Sequence, residues 1–297
     1  MSIKTWFFET RPSFLLLTPL NFLVGFAAAY AEGSFDAFRA LLGLVGVVLA
    51  HIAMNVINDY FDYSSGLDMR TNRTPFSGGS GVLPSGALRP RSVYLFAMAC
   101  LILGGAIGVY FAYTVGWEIL PVILFAALTI YTYTNYLSHW YVGELFTGLN
   151  YGFLMAVGAY FIMTGRYSIS ACVPAVIPGI LGAALLYINE FPDIGPDSEV
   201  GRRNIVMLLG LERASKGYAV LVGSIYMWVL ACVAARVVEP TMLVVLLSSP
   251  LGYKAAMGAM RDYGNASKLV PSLAANVQWI LSTTVLTIVG ILASAWV

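Results

Sequence analysis

Charge is scarce in this chain. Lys, Arg, Asp and Glu make up 10% of its 297 residues, against about 25% in a soluble domain. With 59% hydrophobic residues, that shortage excludes a water-soluble globule and indicates a polytopic membrane protein. The formal net charge of +1 names no partner by itself, because the charges are unevenly placed, and no nucleic-acid partner is expected. Cysteine is nearly absent. Cys100, Cys172 and Cys232 stand alone in apolar runs, match no disulfide or metal-binding spacing, and read as small buried hydrophobes. The chain begins without a basic segment, short apolar core and small-residue cleavage site, so no cleaved signal peptide is expected and the first span serves as the insertion signal. A phosphate-binding loop is missing too. The glycine-rich run Phe76–Gly81 lacks the Gly-Lys-Ser/Thr ending and reads as a lid or turn, not a nucleotide cradle.

What is present is a succession of long apolar runs. Spans are expected at Ser13–Ala31, Ala37–Tyr60, Arg91–Gly116, Leu120–Asn135, Gly143–Thr164, Ile169–Phe191, Gly217–Ala235, Thr241–Met260 and Ser272–Trp296. Each is near the ~20 residues that cross a bilayer. The expected fold is all-α: nine transmembrane helices around a central cavity, in one domain over residues 1–297. Two long polar stretches interrupt the pattern, Phe61–Pro90 and Pro192–Lys216, and long loops of this kind are often functional. With the N-terminus inside, twelve basic residues fall on inner segments and three (Arg39, Arg166, Arg236) on outer ones. By the positive-inside rule, the N-terminus and both polar loops face the cytoplasm of a multi-pass cell-membrane protein.

Both loops open on acids. The second span ends in Asn58-Asp59-Tyr-Phe-Asp62, followed by Gly66-x-Asp68, and the sixth ends in Asn189-Glu-Phe-Pro-Asp193, followed by Asp197. Residues four apart share a helix face, so Asn58 projects with Asp62 and Asn189 with Asp193. Pro192 and Pro196 predict that the sixth span bends or unwinds there. Carboxylates gathered at a membrane border repel one another unless a hard cation neutralises them. Mg²⁺, which takes a few carboxylates plus phosphate oxygens and water, suits that role. The metal ligands expected are Asp59, Asp62, Asp193 and Asp197. Arg73 and Arg202 adjoin the two motifs, and guanidinium groups match phosphate oxygens. The ligand so described has an anionic head and an apolar tail. His51 and Asn55 lie on the turns before Asn58, and Tyr131 and Glu144 lie about the fourth and fifth spans. These residues are candidates for reading a second substrate.

Paired Asn-x-x-x-Asp motifs after the second and sixth of nine spans resemble the UbiA superfamily of intramembrane prenyltransferases. Gly66 with Asp68 in the first motif, Asp197-x-x-x-Gly201-Arg202 and Gly143-Glu144 are similar to the branch that prenylates 1,4-dihydroxy-2-naphthoate on the way to menaquinone. The run Thr74–Gly81 and Glu190-Phe191-Pro192 depart from that branch, so other acceptors stay open, among them 4-hydroxybenzoate, homogentisate, chlorophyllide and ether-lipid precursors.

The resemblance implies transfer of a prenyl group from an isoprenyl diphosphate to an aromatic acceptor. Mg²⁺ would assist departure of the diphosphate. Arg73 and Arg202 would share the developing charge, and Asp68 or Glu144 would take the final proton. An ion-coupled transporter is the alternative of a different class, but transporter sites tend to lie at the bilayer midplane, whereas these acids gather at one surface. A lipid phosphotransferase is a further alternative.

Overall fold

The computed structural model describes residues 2–71 and 78–296. Among them the secondary structure is helical, with no strand. Eight helices are long and apolar enough to cross a membrane, and Trp117–Thr132 adds a shorter apolar helix, which accounts for all nine expected spans. In chain order the α-helices are α1 (Ile3–Glu9), α2 (Pro12–Leu15), α3 (Leu17–Ala31), α4 (Ala37–Ser64), α5 (Pro90–Thr114), α6 (Leu120–Thr132), α7 (Gly143–Thr147), α8 (Met155–Thr164), α9 (Ile169–Glu199), α10 (Ile205–Leu209), α11 (Leu211–Ala234), α12 (Ser249–Asp262) and α13 (Ala266–Ser294).

Several boundaries differ from the expected ones. Residues 2–11 contain a helix, α1, whose N-cap Ser2 accepts the amide of Lys4. Helix α4 runs to Ser64, past Tyr60, so Asp62 lies within the helix, as Asp59 does, and not beyond it. Asp36 starts α4 by accepting the Arg39 amide at 2.9 Å, a standard N-cap contact. Gly66, at φ +79°, then turns the chain out of it, as glycine commonly does past a helix end. Helix α9 continues through Pro192 and Pro196 to Glu199. Proline's fixed φ is itself helical, and each ring removes a single donor. Prolines four apart put both losses on one face and leave the other bonded.

The chain forms two compact units interleaved in sequence. The first comprises Met1–Pro19, Leu41–Gly143 and Asp193–Asn204, and the second Leu20–Ala40, Glu144–Pro192 and Ile205–Val297.

In the first unit, α4 and α5 bury Ala53, Val56, Ile57, Val93 and Ala97 with Val82 and Leu83 of the intervening loop. Trp6 of α1 packs edge-on against Phe96 with centroids 5.0 Å apart. Leu95, Ile102 and Leu103 remain exposed, as expected of a helix face that meets lipid.

In the second unit, residues Gly148–Leu154 between α7 and α8 form a π-helical turn. Such turns disturb the usual carbonyl pairing, and Asn21 Nδ2 donates to the Tyr151 carbonyl there at 2.8 Å. Gly152 is pressed so closely on the Pro178 backbone that a Cβ would collide with it. Helices α11 and α13 meet through buried polar contacts, Tyr218 Oη donating to Asn276 Oδ1 at 2.7 Å and Trp279 Nε1 to Tyr226 Oη at 2.8 Å. Just past α3, Glu32 accepts from Ser170 and Tyr160, both at 2.5 Å, and from Arg166 at 3.0 Å. Burial raises the Glu32 pKa, but these donors outweigh it and hold the carboxyl below its ordinary range.

Candidate active site

Helix α4 delivers the first motif to the first unit. Asn58 Nδ2 donates to Thr134 Oγ1 at 3.2 Å, and Asn58 Oδ1 accepts Arg11 Nη1 at 3.2 Å. The same Arg11 nitrogen lies 3.5 Å from Asp59 Oδ1, and Asp59 Oδ2 accepts the Ser80 amide at 2.8 Å. Asp68 sits buried in the 3₁₀ turn Leu67–Met69. A Cβ on Gly79 would lie 3.0 and 3.2 Å from its two carboxylate oxygens, so a side chain at Gly79 would crowd Asp68.

The end of α9 completes the unit. Arg202 Nη2 pairs with Asp62 Oδ1, and Arg202 Nη1 lies 3.3 Å from Asp197 Oδ1. One guanidinium therefore joins the two motifs. The local backbone sets it there: Gly201 turns at φ +80°, the Arg202 amide donates to the Asp197 carbonyl at 3.0 Å, and the Arg203 amide to the Ser138 carbonyl at 2.9 Å. Burial works against the Arg202 charge, but Asp62 and Asp197 outweigh it and raise its pKa. Asp193 lies half-buried on α9, one turn before Asp197.

Other sequence candidates have different surroundings. His51 Nδ1 lies 2.5 Å from Thr18 Oγ1, and Asn55 Nδ2 donates to the Thr10 carbonyl at 3.0 Å. Both side chains thus hold the N-terminal segment. Tyr131 Oη meets Tyr94 Oη at 3.4 Å. Asn189 and Glu144 belong to the second unit. Glu144 is buried, its Oε1 accepts the Ile205 amide at 2.7 Å, and its Oε2 has no hydrogen-bond partner among the described residues. Arg73 lies outside the described residues.

Three contributors escape sequence reasoning: Glu9, Arg11 and Ser80. Arg11 reads only as a flanking charge, though it stands in the left-handed region at φ 54°. Glu9 is fully buried at the end of α1 and accepts the Ser80 hydroxyl at 2.9 Å. Burial first, and the Asp59 charge second, push its pKa from 4.5 to about 8. Nothing in the sequence marks an acid so near the N-terminus as buried.

The donors here are carboxylate and amide oxygens, the set a hard divalent cation prefers. Among the described residues no three acidic, His or Cys side chains converge on a single metal position. Arg11 and Arg202 instead contact three of the acids that would hold it, Asp59, Asp62 and Asp197.

Membrane-spanning helices that carry two acidic motifs, joined by an arginine outside the spans, make this a polytopic membrane protein with a charged site at its helix ends. The chain belongs to the UbiA prenyltransferase family, whose model matches residues 19–277. It is 30% identical over 305 residues to the 1,4-dihydroxy-2-naphthoate octaprenyltransferase of Escherichia coli K12, covering 99% of this chain and 96% of that one. To the enzyme of the same name from Bacillus subtilis 168 it is 26% identical over 256 residues, covering 85% and 81%. Its fold is similar to a UbiA homolog from Archaeoglobus fulgidus bound to GPP and Mg²⁺, with a TM-score of 0.60, 17% identity and coverage of 95% and 99%.

Proposed function

We propose that this chain moves a prenyl group from an isoprenyl diphosphate to the ring of 1,4-dihydroxy-2-naphthoate, as a single prenyltransferase domain of the cell membrane with its acidic motifs on the cytoplasmic side. The observation that carries the reading is Arg202, whose guanidinium spans Asp62 and Asp197. Those are the charges that a diphosphate and its cation would rearrange. The two naphthoate octaprenyltransferase relatives support the acceptor.

Asp59, Asp62, Asp193 and Asp197 would hold Mg²⁺, which when bound supplies charge neutralisation for the leaving diphosphate. Arg202 presents two nitrogens suited to phosphate oxygens, and Arg73, in the polar loop after the first motif, is assigned the same role. As the C1–O bond breaks, the bonding electrons leave with the diphosphate and the allylic carbon becomes cationic. Donors already aimed at the site stabilise that charge separation without reorganising. A nucleophilic ring carbon of the acceptor forms the new C–C bond. The ring regains aromaticity by losing a proton, or CO₂ where the attacked carbon carries the carboxylate. Asp68 and Glu144 are the proton acceptors assigned. Asn58 and Asn189 position the diphosphate, and His51, Asn55 and Tyr131 shape the acceptor side.

The test is diphosphate release by purified protein from labelled geranylgeranyl diphosphate, with dihydroxynaphthoate or 4-hydroxybenzoate as acceptor. Release is expected with dihydroxynaphthoate, lost in chelator and restored by Mg²⁺. Full activity in excess EDTA would remove the metal from the mechanism. Turnover of 4-hydroxybenzoate alone would move the protein to another branch.

A further inference from the structure

Glu9 has no part in the reaction outlined above, yet it is fully buried in the unit that holds Asp59, Asp62 and Asp68. A carboxyl group is rarely buried without a partner that uses it. Its Oε2 accepts the Ser80 hydroxyl at 2.9 Å, while its Oε1 has no hydrogen-bond partner among the described residues. Ser80 also gives its amide to Asp59 Oδ2 at 2.8 Å. Beside it, Gly79 lies so near Asp68 that an added Cβ would come to 3.0 Å from a carboxylate oxygen. Gly78, Gly79 and Gly81 all have positive φ, at 92°, 70° and 80°. This backbone conformation is one that only glycine adopts freely, and it brings the main chain close to both acids. Ser80 is the one residue of this short run with a side chain, and Glu9 holds it.

We infer that Glu9 is a positioning residue of the transferase site. Through Ser80 it seats the Gly78–Gly81 backbone on Asp59 and Asp68, and so sets how tightly the first motif takes its cation and diphosphate. The inference rests on the proposed function only in naming what the motif binds. The contact itself, from α1 to the glycine run, is independent of that reading. Glu9 acts through another residue, so the part it contributes is a hydrogen-bond acceptor, which glutamine also offers.

Glu9→Ala, Glu9→Gln, Ser80→Ala and the Glu9→Ala/Ser80→Ala pair test it by two measurements. The first is amide hydrogen exchange across residues 79–82 in detergent-solubilised full-length protein without substrate. The second is prenyl transfer across Mg²⁺ and geranylgeranyl diphosphate concentrations. Glu9→Ala and Ser80→Ala should each speed exchange, and each should raise the diphosphate KM and the Mg²⁺ midpoint about five- to tenfold, the size of one lost hydrogen bond. The kcat should stay within about twofold. Glu9→Gln should restore both readouts, and the double variant should be no worse than either single one. Should Glu9→Ala reduce the yield of folded protein, Ser80→Ala removes the same bond without emptying a buried position. Unchanged exchange in Ser80→Ala overturns the inference. So does a Glu9→Gln as impaired as Glu9→Ala, since the charge and not the hydrogen bond would then matter. If no acceptor is prenylated by the unaltered protein, the proposed function fails while the exchange measurement still decides the role of Glu9.

Discussion

Arg202 and Asp62 stand 140 residues apart in sequence and form an ion pair with side-chain exposures of 16% and 8%. Removing one partner of a buried pair leaves the other charged without compensation, which costs about 3–5 kcal/mol. Arg202→Ala should therefore lower the thermal midpoint clearly as well as abolish transfer. Arg202→Lys should retain the charge but not the fork that reaches both Asp62 and Asp197, and should keep less than about a tenth of the rate. Melting curves and initial rates on one preparation check both. A stable, fully active Arg202→Ala would sever the link between the motifs and catalysis.

Asp193 differs from Asp62 in being half-buried. Asp193→Asn should abolish turnover with little change in melting, whereas Asp62→Asn should lose turnover and stability together. Near-normal rates in Asp193→Asn would remove it from the metal ligands.

Glu9 supplies a pH dependence of stability. Its pKa is about 8 in the fold against an ordinary 4.5. Between those values the folded chain binds a proton that the unfolded chain has lost, so stability falls as pH rises through that window. The Glu9 contribution is complete below about pH 4.5 and gone above about pH 8. Melting temperatures from pH 5 to 9 should decline less steeply in Glu9→Gln than in the unaltered protein. Parallel curves for the two would show that Glu9 is ionised across the range.

Glu144→Gln keeps an oxygen for the Ile205 amide, now accepted at 2.7 Å by Oε1, and alters the other position. That other position, Oε2, is the one assigned to the acceptor, and a charged hydrogen bond made to the acceptor there is worth about 1.5–3 kcal/mol. Prenylation of dihydroxynaphthoate should slow by roughly ten- to a hundredfold, with the prenyl diphosphate KM unchanged. A matching rise in that KM would assign Glu144 to diphosphate binding instead.

The nine spans and the two motifs were legible because both are periodic signals, apolar length for the spans and a four-residue repeat for Asn58–Asp62 and Asn189–Asp193. Helix α1 was not, since seven residues are too few to show a period. The run of α9 through Pro192 and Pro196 defeated a local rule, because neighbouring helical bonds outlast a single lost donor. Periodicity placed His51 and Asn55 on the face of Asn58. It could not tell that Thr18 and Thr10 would meet them there. Ser80 was invisible for a different reason: it reaches Asp59 through a backbone amide, which every residue except proline possesses.

The 140 residues between Asp62 and Arg202 are also an interval of time. At about 5–20 residues per second, a ribosome needs roughly 7–28 seconds to make them. Throughout that interval Asp62 has been synthesised and its guanidinium partner has not. An unpaired carboxylate can wait in water at little cost but not in hydrocarbon. The order of synthesis therefore constrains where α4 may stop. Its acidic end has to remain wet while the later helices are inserted, and can be enclosed only after Arg202 has emerged.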